Sequence, residues 1–250
     1  MSAMQKIVVL GATSEIAQQV QRVLARQGWE FLLVARSTAR LSAVAADLRS
    51  RGAKQVIEYT ADLADISRHT QLMAFVQERF PDFDCVLLAY GTMQDPEQCR
   101  HSVELSLREW DTNFVSAAAL LTLFADVLEQ KGAGCIAAIT SVAGDRGRSS
   151  NYVYGAAKGA LNIFLQGLRG RLYGSHVRVL TIKPGPVTTP MTAGLRQEKM
   201  FAAPAAVARD ICRALDSSSR KEILYTPFYW RYVMAILKLI PERIFKRLTI

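Results

Sequence analysis

Short apolar runs alternate with longer amphipathic stretches along this chain. Ile7-Val8-Val9-Leu10, Phe31-Leu32-Leu33-Val34, Val56-Ile57 and Val86-Leu87-Leu88-Ala89 read as strands, as do Cys135-Ile136-Ala137-Ala138-Ile139 and Val177-Arg178-Val179-Leu180-Thr181-Ile182. They are nearly continuous in apolar residues, whereas a strand with one wet face would alternate, so both faces of the sheet are covered. The helical period predicts helices over residues 16–25, 41–48, 69–80, 114–128 and 156–172. Strands alternating with helices in this way define the α/β class, here a single-domain, doubly wound parallel sheet of the Rossmann type. No repeat, linker or change of composition interrupts the chain before about residue 220. The expected organisation is one domain over residues 1–226 and a C-terminal basic amphipathic tail over 227–250.

Composition narrows the picture. Of 250 residues, 50% are hydrophobic and 21% charged, too apolar for a disordered chain and too charged for a multi-span membrane protein. The net charge of +9 permits an anionic partner without choosing one. Neither an aromatic–basic strand platform nor a recognition helix is visible, so no nucleic acid is expected. Cys85, Cys99, Cys135 and Cys212 stand far apart without CxxC spacing, which suggests no metal site and no disulfide framework. The N-terminus carries no signal-like run, and no apolar stretch reads as long as the roughly 20 residues that span a bilayer. A cytoplasmic protein is expected.

Candidate chemistry begins where the first strand meets its helix, at Gly11-Ala12-Thr13-Ser14-Glu15-Ile16-Ala17. A turn of small residues there lets backbone N–H groups and the helix dipole face a pyrophosphate. An ordinary strand–helix turn has the same look, and Glu15 must point away from any phosphate. Arg36 follows the second strand where an acid would suit the ribose of NAD, and a planar cation instead suits a 2′-phosphate. NADPH is thus favoured over NADH, which stays open. Tyr154 and Lys158 are four apart on one helical face, and a lysine beside a phenol lowers its pKa. Ser141 closes the fifth strand, and Lys183-Pro184-Gly185-Pro186-Val187-Thr188-Thr189 follows the sixth, at the sheet edge where such folds bind ligands.

With these residues in view, the chain resembles the short-chain dehydrogenase/reductase family over residues 5–225. The matches are the glycine turn over residues 10–17, Asp62-Leu63 after strand three, the Ser141, Tyr154, Lys158 spacing and the Pro-Gly-x-Val-x-Thr turn. The family's Asn-Asn-Ala-Gly stands here as Leu88-Ala89-Tyr90-Gly91, a departure that sets Tyr90 beside the cofactor. The resemblance implies hydride transfer between a nicotinamide and a carbonyl. Tyr154 would supply the proton, Ser141 polarise the carbonyl, Lys158 hold the nicotinamide ribose and Asn113 anchor a relay water. Gly11, Thr13, Ser14, Ile16, Arg36, Asp62, Leu63, Ala89, Tyr90, Gly91, Pro184, Gly185, Val187 and Thr189 would join Tyr154 and Lys158 in lining the cofactor. It also implies homo-dimers or homo-tetramers. A soluble β-ketoacyl or other carbonyl reductase and a non-catalytic dinucleotide sensor are the alternatives.

Residues 11–16, 143–155 and the tail segments 229–234 and 240–245 further resemble a narrower group, the decaprenylphosphoryl-2-keto-β-D-erythro-pentose reductases of cell-wall synthesis. That likeness implies a 2-keto sugar on a polyprenyl phosphate and a flavin oxidase partner. Seven basic and two acidic residues lie in 220–250, interleaved with aromatic and aliphatic ones. This composition suits peripheral contact with the inner membrane face, and equally a helix that caps the site or packs on a neighbouring subunit. Arg146 and Arg148 would hold a substrate phosphate or simply face solvent. The run 190–201, with Met191, Leu195, Met200 and Phe201, would be a substrate lid.

Overall fold

The computed structural model describes residues 5–194, 200–216 and 218–248. Seven strands form one parallel sheet: β1 (Lys6–Leu10), β2 (Glu30–Ala35), β3 (Gln55–Thr60), β4 (Cys85–Leu88), β5 (Gly134–Ile139), β6 (Val177–Pro184) and β7 (Ile223–Thr226). Their order is β3-β2-β1-β4-β5-β6-β7, so the winding reverses between β1 and β4. At such a switch point the loops leave in opposite directions and open a crevice at the carboxyl edge.

Successive residues of each strand feed opposite faces. Ile7, Val9, Phe31, Leu33, Leu87 and Ile182 pack into one core, and Val8, Leu10, Leu32, Val34, Leu88 and Val179 into the other. The first core lies under α1 (Glu15–Ala25), α2 (Thr38–Ser50) and α8 (Pro204–Leu215). The second lies under α3 (His69–Arg79), α6 (Ser116–Lys131) and α7 (Tyr152–Arg171). Each fully buried Leu, Ile or Phe contributes about 1.5–3 kcal/mol of burial, which is why the apolar runs needed no alternation.

Four elements were not expected from the sequence. β7 is an edge strand with Ile223 half exposed, four residues long and therefore too short to carry a pattern. The short helix α4 (Pro96–His101) is mostly charged and polar outside, and α5 (Val103–Trp110) inverts the usual pattern, with Val103 and Leu107 exposed and Ser106 and Glu109 buried. α8 shows its apolar stripe only as Val207, Ile211 and Leu215 between alanines.

The expectation that no apolar stretch matches a bilayer needs a correction. α5, a π-helical turn (Asp111–Val115) and α6 run on as one helix over Val103–Lys131, long and apolar enough to cross a membrane by length and composition. Its inner face, with Leu120, Leu121, Phe124 and Leu128, is fully buried in the second core. It is a core helix of the sheet, so the length test alone does not place it in lipid.

The tail folds back onto the carboxyl edge. After a cis peptide bond at Thr226-Pro227, α9 (Trp230–Leu239) and α10 (Glu242–Phe245) follow. Trp230 and Met234 are buried against Val142, and the Trp230 indole lies directly on the backbone of Gly185.

Candidate active site

The turn after β1 is held by its own chemistry. Gly11 has φ +89°, a conformation L side chains avoid, and a Cβ there would come within 2.7 Å of the Tyr90 backbone. Gly11 and Ala12 donate their N–H groups to the Val34 carbonyl at 2.9 and 3.0 Å. Ser14 caps α1 by accepting from the Ala17 N–H, and Ile16 packs on the first core. Glu15 accepts from Gln19 along the helix at 3.1 Å. Arg36 is exposed at the end of β2. Arg40, one turn on, donates to the Thr13 carbonyl at 3.2 Å, which sets two guanidinium-bearing positions beside the small-residue turn.

The rim of the crevice follows. Asp62 is exposed, and its carboxylate accepts from the Ala64 N–H. Leu63 is buried, and its carbonyl is hydrogen-bonded to His69 at 2.9 Å. Ala89 continues β4 by donating to the Leu10 carbonyl. Tyr90 meets Gly11 through its backbone and Cβ. Its ring packs into the second core and its hydroxyl meets Ser116 Oγ at 2.9 Å, because an aromatic ring gains more from that core than from the wet crevice. Burial raises the pKa of this phenol.

Asn113 sits in the π-helical turn and is 1% exposed. Its amide donates to the Thr92 carbonyl at 3.0 Å and the Glu109 carbonyl at 3.1 Å, and its oxygen accepts from the Thr92 N–H. One wider turn is a common device at functional sites. Here it directs the side chain at Gly91, where a Cβ would lie 2.5 Å from Asn113 Oδ1 and 3.1 Å from Lys158 Nζ. The absence of a side chain at Gly91 thus leaves room for the asparagine and the lysine to reach the same spot.

Ser141 leaves β5 and accepts from the Ala143 N–H at 3.1 Å. Its loop is pressed onto α7: a Cβ on Gly144 would lie 2.5 Å from the Lys158 backbone and 2.7 Å from that of Gly159. This contact brings the serine, carried on one element, to the tyrosine and lysine of another. The Lys158 ammonium lies 5.6 Å from the centre of the Tyr154 ring. Burial pushes the Tyr154 phenol up to about 12, Ser141 hydrogen bonding works against this and the Glu109 charge adds to it. Burial pulls Lys158 down to about 8, and Glu109 opposes that. The expected lowering of the phenol by Lys158 is therefore not seen, because desolvation outweighs the Ser141 hydrogen bond and the Arg148 charge that oppose it. A phenol that keeps its proton at neutral pH is a proton donor.

Pro184 ends β6, and Gly185 follows it beneath Trp230. Val187 is buried and bridges to Ala202, and its carbonyl accepts from the Thr192 hydroxyl at 2.6 Å. Thr189 donates its N–H to the same hydroxyl. The chain therefore returns from the expected lid to the turn it left, with Met191 and Met200 exposed. Leu195 lies outside the described residues.

The two arginines of the β5–α7 loop part company. Arg146, expected at a substrate phosphate, is engaged by the tail: it donates to Glu242 at 2.9 Å and to the Lys238 carbonyl, and its guanidinium stacks 4.2 Å from the Phe245 ring centre. The anionic partner it was expected to seek is supplied by the tail. Arg148 stays near Tyr154; burial lowers its pKa, and its Nε is buried without a hydrogen-bond partner among the described residues.

Sequence reasoning missed Glu109. It is 1% exposed, accepts from the Thr92 hydroxyl at 2.7 Å and the Gln94 N–H at 3.3 Å, and its charge reaches Tyr154 and Lys158. Its place four residues before Asn113, hence on the same helical face, was the available signal. A glutamate in Leu-Arg-Glu-Trp otherwise reads as a solvated charge.

Comparison with known proteins supplies the family. The chain is 32% identical over 242 residues to an uncharacterized oxidoreductase of Mycobacterium tuberculosis, covering 97% of this chain and 96% of that one. An alcohol dehydrogenase from Thermococcus sibiricus, solved with 5-hydroxy-NADP, superposes with a TM-score of 0.76 at 25% identity over 89% of this chain and 95% of that one. A short-chain dehydrogenase from Sphingobium yanoikuyae, solved with NADPH, shares the fold with a TM-score of 0.82 at 22% identity, over 96% and 97%. Residues 5–200 match the short chain dehydrogenase family; the chain belongs to that family and is an NAD(P)H-dependent oxidoreductase.

Proposed function

We propose that the protein is an NADPH-dependent ketoreductase whose substrate is a hydroxylated ketone, in the sharpest form the 2-keto group of a pentose carried on a polyprenyl phosphate. The observation that carries the reading is the buried array of Asn113, Lys158 and Tyr154 joined to Ser141 at the carboxyl edge. The proton-retaining phenol suits reduction. In this reading the cofactor supplies the hydride, the turn over residues 11–16 holds its pyrophosphate, and Arg36 takes the 2′-phosphate. Asp62 and Leu63 flank the adenine, while Val187 and Thr189 meet the carboxamide. Tyr154 protonates the forming alkoxide, Ser141 polarises the carbonyl, and Arg148 holds a substrate anion.

The tail supports the lipid-linked form. Tyr232, Ile236 and Leu239 are 62%, 65% and 83% exposed on one stripe of α9, flanked by Arg231, Lys238, Arg243, Lys246 and Arg247. Such a face, at the mouth of the site, suits an anionic bilayer surface from which a polyprenyl chain is presented, at the inner face of the membrane. A flavin oxidase that makes the ketone would then be the partner. Exposed Val103, Leu107 and Ile163 on α5 and α7 suit a homo-dimer or homo-tetramer through those helices.

The test is reduction of ketoses by NADPH with wild type and Tyr154→Phe. A loss of rate of about a thousandfold or more at unchanged NADPH affinity is expected. Equal rates in the two proteins overturn the mechanism.

A further inference from the structure

Beside Tyr154 a narrow cleft runs between the β4–α4 segment and the start of α7, lined among others by Gln94, Pro96, Cys99, Glu109, Asn151 and Tyr154. Its free space, about 10 Å³, is the size of one water molecule or one hydroxyl. Two of its lining side chains carry buried oxygens that nothing else satisfies among the described residues, Glu109 Oε1 and Asn151 Oδ1. The other Glu109 oxygen is occupied by Thr92 and Gln94, so the carboxylate is clamped with its open oxygen left over. A buried acceptor without a donor is costly, and a bound group that donates hydrogen bonds repays that cost.

We propose that Glu109, with Asn151, is the specificity determinant of this site, accepting a hydrogen bond from a hydroxyl carried on the substrate near its carbonyl. This deepens the ketoreductase reading and rests on it. An ammonium group also donates, but Lys158 and Arg148 already place two cations around Tyr154, and a third would be repelled. A plain alkyl ketone leaves both oxygens unpaired, and a site built to bind a hydroxyl discriminates strongly against the compound that lacks it. Glu109 is thus a binding residue for the substrate and takes no proton in the reaction.

The experiment compares dihydroxyacetone, erythrulose and xylulose with acetone, 2-butanone and 2-pentanone, matched in carbon number, as kcat/KM ratios with NADPH. Wild type is expected to prefer the hydroxylated ketones by about a hundredfold. In Glu109→Gln the amide oxygen stays on Thr92 and Gln94 and its NH2 turns to the cleft, so the acceptor becomes a donor and the preference falls by about tenfold or more. Any change in the charge felt by Tyr154 and Lys158 acts on both ketone classes and cancels in the ratio. A ratio unmoved by Glu109→Gln, or a wild type that favours the alkanones, overturns the proposal while leaving the ketoreductase reading intact. If wild type reduces no ketone, that reading fails, and calorimetric titration of NADPH-loaded protein with xylulose decides the proposal alone. Binding weakened by about tenfold in Glu109→Gln supports it; equal binding or none overturns it.

Discussion

At the scale of single residues, burial governs the chemistry. Lys158 is held near 8, below its ordinary 10.5, chiefly by desolvation. Between those two values the unfolded chain binds a proton that the folded one does not, so stability rises with pH through that window; below it the burial cost is present in full. Lys158→Met is therefore expected to stabilise the fold at pH 7 by about 3 kcal/mol, with the gain shrinking as pH approaches 10.5. Urea unfolding across pH checks this, and a less stable variant at pH 7 contradicts it. Arg36 is the second residue-scale prediction. It is exposed and makes no ion pair among the described residues, so its removal leaves the fold unstrained. Arg36→Ala should weaken NADPH binding about tenfold, roughly 1.4 kcal/mol, and leave NADH binding unchanged. Fluorescence titration with both cofactors separates a 2′-phosphate contact from a mere surface charge, for which the two affinities would move together or not at all.

At the scale of elements, the site depends on the β5–α7 loop lying flat on α7. Gly144 permits this, since a methyl there would meet backbone atoms of Lys158 and Gly159 that have no side-chain freedom to yield. The same loop is anchored from below by Asp145, which is paired with Lys183 at 2.5 Å and accepts from the Tyr225 hydroxyl at 2.6 Å. Gly144→Ala is expected to cost about 1–3 kcal/mol of stability. It should also lower kcat/KM about a hundredfold by displacing Ser141, with NADPH affinity retained. A fully active Gly144→Ala would show that the loop can lift without moving the serine. Much of this level was legible in advance. Six strands and five helices announce themselves through continuous apolar runs and the 3.6-residue period, with ends that differ by a few residues. β7, α4, α5 and α8 did not: an edge strand and short surface helices bury too little to impose a pattern, and the apolar stripe of α8 is diluted by alanines.

At the scale of the whole molecule, the tail carries one buried and one exposed apolar face. α9 shields the carboxyl edge with Trp230 and Met234 and turns Tyr232, Ile236 and Leu239 outward. Deleting the tail would uncover Val142 next to Ser141, so replacing the outer three residues is the cleaner test. The triple variant Tyr232→Ser, Ile236→Ser, Leu239→Ser should lose binding to vesicles of phosphatidylglycerol while keeping its NADPH affinity. Co-sedimentation measures the first and fluorescence the second; wild-type protein that stays off the vesicles rejects the membrane reading. Arg146 shows why the tail had to be seen folded: its pairing with Glu242 spans 96 residues of sequence.

The sequence by itself determined the layers, the glycine turn and the spacing of Ser141, Tyr154 and Lys158, since these follow from local period, backbone freedom and one helical turn. Only the tertiary structure decided the partners of the buried polar groups. Tyr90 turned inward to Ser116, Arg146 went to the tail, and Glu109 came to stand beside Tyr154. A charged or phenolic side chain settles where distant segments offer it hydrogen bonds and exclude water, and no pattern within one element records that.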